Sequence, residues 1–231
     1  MNQTYLTLAA LLPAIVLFVR VYRLDRIEKE PRALLGRLIL LGAVFSVPAA
    51  LAELALEYLL GAYLVPQSML FLLIDNFVVI ALCEELAKRL PVMLAAWDHP
   101  AFDYRFDAIV YCVSSALGFA AVENILYVVQ SDLRTAVARA LLSVPGHFFF
   151  AVSMGSFLSR AKQAEKAARP RRMRFMRRCS LLVPMLLHGF WDFSLSVGTI
   201  WATILFYVFV VVFFILADVE LRRASRADRR L

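Results

Sequence analysis

Long apolar runs broken by short charged connections dominate the chain. About 20 apolar residues are needed for a helix to cross a hydrocarbon core of about 30 Å. Runs of near that length occur at about Leu6–Val21, Leu34–Leu54, Asn76–Trp97, Ala108–Val129, Leu141–Leu158, Leu181–Val197 and Trp201–Leu216. Pro48 predicts a kink in the second run. The segment Glu57–Gln67 has no basic residue and is broken by Gly61 and Pro66, and Leu70–Asn76 either lengthens the third run or lies in the interface. Gln130–Arg139 reads as a short polar turn. The pattern predicts an all-α polytopic bundle of about seven transmembrane helices, with neither internal repeat nor low-complexity linker.

Composition supports the membrane assignment. With 231 residues, 62% hydrophobic and 19% charged, the chain is too apolar for a soluble domain of this size. A net charge of +7 would suit nucleic acid, but the basic residues cluster beside apolar runs, so no nucleic-acid partner is expected. Nine of them fall between Arg160 and Arg178, and others in Arg20–Arg37, Arg89–Arg105 and the tail Arg222–Arg230. Alternating sides across seven spans puts all four groups in the cytoplasm and leaves only Arg134 and Arg139 outside, giving N-terminus out and C-terminus in. The first run has no Lys or Arg before it and no small-residue cleavage site, so it reads as a retained span. Cys83, Cys112 and Cys179 are scattered and form neither a disulfide framework nor a CxxC motif. The chain reads as one integral membrane domain over 1–231, with its motifs at about 20–195 and a basic cytoplasmic tail at 218–231.

Ionisable groups inside apolar runs change the picture from membrane protein to membrane site. Glu84, Glu85 and Lys88 sit in the third run, Glu123 with Asn124 in the fourth, His147 in the fifth, and His188 and Asp192 in the sixth. Each charge at mid-bilayer costs roughly 2.5–3.5 kcal/mol on insertion scales. For any one of them an interhelical hydrogen bond, or snorkelling of Lys88 and Arg89, is explanation enough. Depth argues for more. At the helical rise, Glu84 lies about 12 Å and His147 about 9 Å below the outer ends of their spans. Glu123, His188 and Asp192 lie about 22, 12 and 18 Å above the inner ends of theirs, so all fall between mid-bilayer and the outer face. Glu84 and Lys88, like His188 and Asp192, share a helix face by their i,i+4 spacing. Adjacent carboxylates suit general acid–base work, while histidines and carboxylates from several helices can hold Zn2+ with an open position for water. Both lead to hydrolysis. A proton- or cation-coupled transporter, or a non-catalytic scaffold, would use similar residues, but no inverted repeat supports the former.

Four motifs in order carry a resemblance: Glu84-Glu85-x-x-Lys88, Phe119-x-x-x-Glu123-Asn124, Pro145-Gly146-His147 and His188-x-x-x-Asp192. With Leu24–Pro31 and Phe106–Tyr111 they resemble the motif set of the PrsW intramembrane protease family, related to the CPBP (bacteriocin-immunity) membrane proteases. Ala108 stands where members carry glycine. The resemblance implies a bacterial plasma-membrane endopeptidase that cuts a single-pass, membrane-anchored substrate of anti-sigma-factor type on the extracytoplasmic side. Its candidate catalytic residues are Glu84, Glu85, Lys88, Glu123, His147, His188 and Asp192. Two schemes stay open. In one, Glu123, His147 and His188, with Asp192 as fourth or orienting ligand, hold zinc, and Glu84 or Glu85 is the base. In the other no metal binds, Glu84 activates water directly, and His188 with Asp192 steadies the oxyanion.

Overall fold

A computed structural model describes residues 3–130 and 137–231, with side chains from 11–127 and 137–231. Seven helical rods make up the described residues: α1 (Gln3–Leu24), α2 (Arg32–Tyr63), α3, α4 (Asp107–Gln130), α5, α6 (Pro170–Ser196) and α7 (Ile200–Arg226). Two of them change winding along their length. In α3 an α-helical turn, Met69–Ile74, passes through a π-helical segment, Asp75–Ala81, into the α-helix Leu82–Ala95. In α5 a π-helical segment, Arg139–Ser143, leads into Val144–Lys166. No strand occurs among the described residues, only an isolated bridge between Tyr104 and Arg230.

The helices overrun several boundaries that the apolar runs suggest. Helix α2 passes through Gly61 and ends at Leu64, whose backbone is extended. A glycine costs a helix only about 1 kcal/mol, and the real break comes at Leu64–Ser68, around Pro66. Ser68 then caps α3, accepting from the Phe71 backbone N–H at 3.3 Å. Leu70–Asn76 therefore lengthens the third helix. Helix α6 starts at Pro170 and not at Leu181, because proline suits the first helical turn and the arginines after it are good helix formers.

Four helices are long and apolar enough to cross a membrane by composition: Arg32–Tyr63, Asp107–Tyr127, Arg139–Lys166 and Ile200–Arg226. Burial sorts them. In α4 72% of the apolar window is buried and in α5 67%, against 22% in both α2 and α7, so α4 and α5 form the centre. The large apolar side chains left exposed on α2 and α7, such as Leu51, Leu54, Val211 and Leu216, suit lipid contact. Small residues bring backbones together where no hydrophobic force between helices operates. A Cβ on Gly118 would sit 2.0 Å from the Ile39 carbonyl oxygen, and one on Gly42 2.0 Å from that of Ser115, so α2 and α4 touch at both.

At one end of the bundle the connections clasp each other. The Asp107 carboxylate accepts from the backbone N–H groups of Asp103 and Tyr104 at 3.0 and 2.7 Å, and Asp228 from that of Phe106 at 2.9 Å. Arg105 N–H donates to the Arg229 carbonyl at 3.2 Å, and Tyr111 donates to Glu30. Burial pushes the Asp25 carboxyl up to about 6 and that of Glu30 up to about 7. The two flanking motifs, Leu24–Pro31 and Phe106–Tyr111, thus meet the C-terminal tail, far from the polar cluster.

Candidate active site

The chain prepares this site with local irregularity. Both π-helical segments lie just before a candidate residue: Asp75–Ala81 before Glu84, and Arg139–Ser143 before His147. Such wide turns re-aim the side chains of the next helical turn and recur at functional sites. Asn76 holds the first in place, donating to the Leu72 carbonyl at 2.7 Å and accepting from Ser196 at 3.0 Å. Gly189 lets α6 lie against the same segment, since a Cβ there would meet the Phe77 ring at 2.5 Å and its Cα at 2.9 Å. Its neighbour His188 is thereby carried onto α3. Ser115 donates to the Lys88 carbonyl at 2.7 Å, and Arg89 donates to Ser180 and to the Arg177 carbonyl, tying α3 to α4 and α6.

All seven candidate residues belong to one connected network from four helices. Lys88, 1% exposed, places Nζ 2.8 Å from Glu84 Oε2, 2.8 Å from Glu85 Oε1 and 2.8 Å from His147 Nδ1, over the Phe119 ring. Glu85 is fully buried, and its Oε1 also lies 3.0 Å from His188 Nδ1. On its other side, His188 Nε2 is 3.1 Å from Asp192 Oδ2. His147 Nε2 is 2.8 Å from Glu123 Oε2, and Arg139 donates to Glu123 Oε1 at 2.7 Å and to Asn124 at 3.1 Å. Phe150 stacks on His188, with ring centroids 5.0 Å apart. Four carboxylates therefore face two fixed cations, Lys88 and Arg139. The remaining negative charge calls for protonated histidines or a bound cation.

A cavity of about 390 Å³ reaches this network. Glu84, Glu123, His147, His188 and Asp192 line it, whereas Glu85 and Lys88 do not. Its other walls include Tyr127, Leu195 and the first turns of α5, so it lies at the end of the bundle away from the clasped connections. Two wall or near-wall residues were not among the sequence candidates. Arg139 read there as a loop charge. Glu53, a carboxylate in the apolar run of α2, has a buried Oε1 without a hydrogen-bond partner and lies near enough to Glu84, Lys88 and Glu123 to feel their charges. The signal for Glu53 was present, since a glutamate in a span is costly by the same rule applied to Glu84.

The donors fit a metal. Glu84, His147 and His188 each offer one ligand atom, all within 4.8 Å of one another, and Glu84 Oε2 is 3.9 Å from both His147 Nδ1 and His188 Nε2. Two histidines and a glutamate, with room for water, are a donor set of catalytic zinc sites. Glu123 stands behind His147 at its other ring nitrogen, as a carboxylate that orients a ligand does. Asp192 meets the same His188 nitrogen that faces Glu84. Among the described residues no other cluster of this kind occurs.

Comparison with known proteins gives one consistent result. Residues 30–217 match the family described as PrsW family intramembrane metalloprotease. The chain is similar to "Protease PrsW" of Clostridioides difficile (strain 630), 35% identical over 90% of this chain and 86% of that one. It is likewise 35% identical to "Protease PrsW" of Geobacillus kaustophilus (strain HTA426), over 84% of this chain and 80% of that one. With "Protease PrsW" of Bacillus subtilis (strain 168) it shares 34% identity over 84% of each chain. No solved structure matches.

Proposed function

As the chain belongs to the PrsW family of intramembrane metalloproteases, a family of peptide hydrolases in the membrane, we propose that it cuts a single-pass, membrane-anchored protein of anti-sigma-factor type near the extracytoplasmic face. The observation that carries this reading is the cavity that opens on Glu84, His147 and His188. A peptide bond within a lipid-facing helix is shielded, so the substrate is cut where it is unwound or leaves the membrane. The cavity lies at the matching end of the bundle: in the positive-inside orientation the first turns of α5 face out, and the basic Arg160–Arg178 segment and tail face the cytoplasm. Seven spans in the bacterial plasma membrane complete the topology. Cysteine labelling of residues in 160–178 is expected only from the cytoplasmic side. Labelling from outside intact cells would overturn the orientation.

Zn2+ is the proposed metal, held by Glu84, His147 and His188. When bound, it supplies Lewis acidity, lowering the pKa of a water towards about 7 and polarising the scissile carbonyl. The chain's own residues do the rest. Glu85 holds His188 at Nδ1 and Glu123 holds His147 at Nε2, which fixes both rings. Asp192, on the cavity wall and ion-paired to His188 alone among the described residues, is placed to accept the proton of the attacking water. Glu123 is less free for this, being tied to both Arg139 and His147. A second reading has one observation in its favour: Lys88 Nζ stands 2.8 Å from His147 Nδ1, where a cation is already supplied. In that scheme Glu84 takes the proton from water without a metal.

Purified protein reconstituted in liposomes with a single-pass substrate separates the two. About one equivalent of zinc, with activity lost on chelation and regained with Zn2+, is expected. Full activity in metal-free protein would remove the metal scheme, and product ends on the cytoplasmic side would remove the site of cleavage. Glu123→Gln, which keeps the shape but weakens the hold on His147, is expected to lower zinc affinity or turnover about 10- to 100-fold. Unchanged zinc titration and turnover would deny it the orienting role.

A further inference from the structure

At the clasped end of the bundle, a cavity of about 390 Å³ lies between the C-terminal parts of α5 and α7 and the 98–106 connection. Four arginines from four segments line it: Arg105, Arg160, Arg172 and Arg223. One carboxylate, Glu220, stands among them, and it is already taken, accepting from Arg160 at 3.2 Å and from Ser156 at 3.3 Å. Arg172 and Arg223 make no ion pair among the described residues. Arg105 is fixed by its backbone bond to Arg229, yet its Nε is buried without a hydrogen-bond partner. A buried donor left unmade is costly, and with Asp228 beside Arg105 and Glu220 beside Arg160 as its nearby carboxylates the cluster keeps an excess of positive charge that suits an anionic acceptor.

A second cavity, of about 240 Å³, shares Ser156, Arg160 and Glu220 with the first. Its character is opposite. Val152, Phe157, Phe213, Leu216 and Ala217 line it, and it runs along α5 and α7 away from the arginines towards the middle of both helices. Level matters here. Arg160 lies about 30 Å along α5 from Arg139, one hydrocarbon thickness, which puts the arginines at headgroup depth. A polar, cationic chamber at the interface that continues into an apolar groove has the shape of an amphiphile with an anionic head.

We propose that the paired cavities bind one anionic phospholipid, its phosphate held by Arg105, Arg172 and Arg223 and an acyl chain lying along Val152, Phe157 and Phe213. Free phosphate shares the head chemistry but leaves the apolar groove unused. Basic pockets between membrane helices take anionic headgroups in this way. The site is remote from the polar cluster and does not depend on how that cluster works.

Native mass spectrometry of the full chain in mild detergent tests it, with phosphatidylglycerol, phosphatidylcholine and inorganic phosphate as probes. One phosphatidylglycerol is expected to stay bound, at least about tenfold more tightly than phosphatidylcholine. Arg105→Gln/Arg223→Gln should weaken phosphatidylglycerol about 30-fold, at one surface charge lost per substitution, and weaken phosphatidylcholine, whose ammonium offsets its phosphate, several-fold less. Arg172→Gln, on the exposed first turn of α6, gives an independent reading of about fivefold should the double variant not fold. Equal retention of the two lipids, or unchanged phosphatidylglycerol binding by these variants, would overturn the site. Displacement of the lipid by millimolar inorganic phosphate would show a phosphate site and overturn the lipid assignment.

Discussion

Glu84→Gln is expected to cut turnover of a membrane substrate on the order of 10³-fold or more, with little change in the fold. Glu84 is the carboxylate that both lines the cavity and lies 3.9 Å from each histidine. Glutamine keeps the length and can still accept from Lys88, but it is neither an anionic metal ligand nor a base. Both the zinc scheme and the metal-free scheme lose their central group. Glu85→Gln is the informative companion. Glu85 is as buried as any residue in the cluster and touches His188, yet it does not reach the cavity. Its loss is therefore expected to act through His188, at about 10- to 100-fold. Side-by-side cleavage rates in liposomes, with thermal unfolding as the control for folding, read this directly. A Glu84→Gln protein as active as wild type, or a Glu85→Gln protein much worse than it, would reverse the two roles.

The second large effect concerns stability. Lys88→Met should destabilise metal-free protein by about 3–5 kcal/mol, because it leaves two adjacent buried carboxylates without their shared ammonium. For a chain of this length that corresponds to a fall in Tm of roughly 10 °C. The same substitution removes the cation beside His147 Nδ1. Zinc should then stabilise the variant more than the wild type, since a ligand that binds only the folded state adds stability by mass action. Differential scanning of both proteins, with chelator and with Zn2+, gives four melting temperatures. An unchanged Tm for the chelated variant would mean that the carboxylates share a proton and need no lysine. Equal zinc shifts in the two proteins would mean that Lys88 and the metal do not compete.

Much of this was legible along the chain. Inserting charge into lipid is expensive, so Glu84, Glu85, Lys88, Glu123, His147, His188 and Asp192 stood out one by one, and the helical rise brought them to a common depth. The helix limits were less legible. Apolar runs mark what faces lipid, whereas backbone hydrogen bonding continues wherever the local residues permit it, through Gly61 in α2 and through the basic turns that open α6. Glu53 was missed for a different reason: it lies one residue from the end of the apolar run Leu34–Leu54, with Glu57 one turn further on, so it reads as part of an acidic edge of the span.

Residue order alone carries the all-α class, the membrane setting and the residue types of the candidate site, because the bilayer penalises every polar group the more the deeper it lies. It could not determine which ring nitrogen faces which carboxylate. That was decided by two π-helical segments, by the contact that Gly189 permits against Phe77, and by the anchoring of α3 through Ser115 and Arg89. Depth is a one-dimensional quantity and comes from counting residues. The rotation of each helix about its axis comes only from packing against its neighbours, and it is this rotation that sets Glu84 between the two histidines and puts Glu123 behind His147.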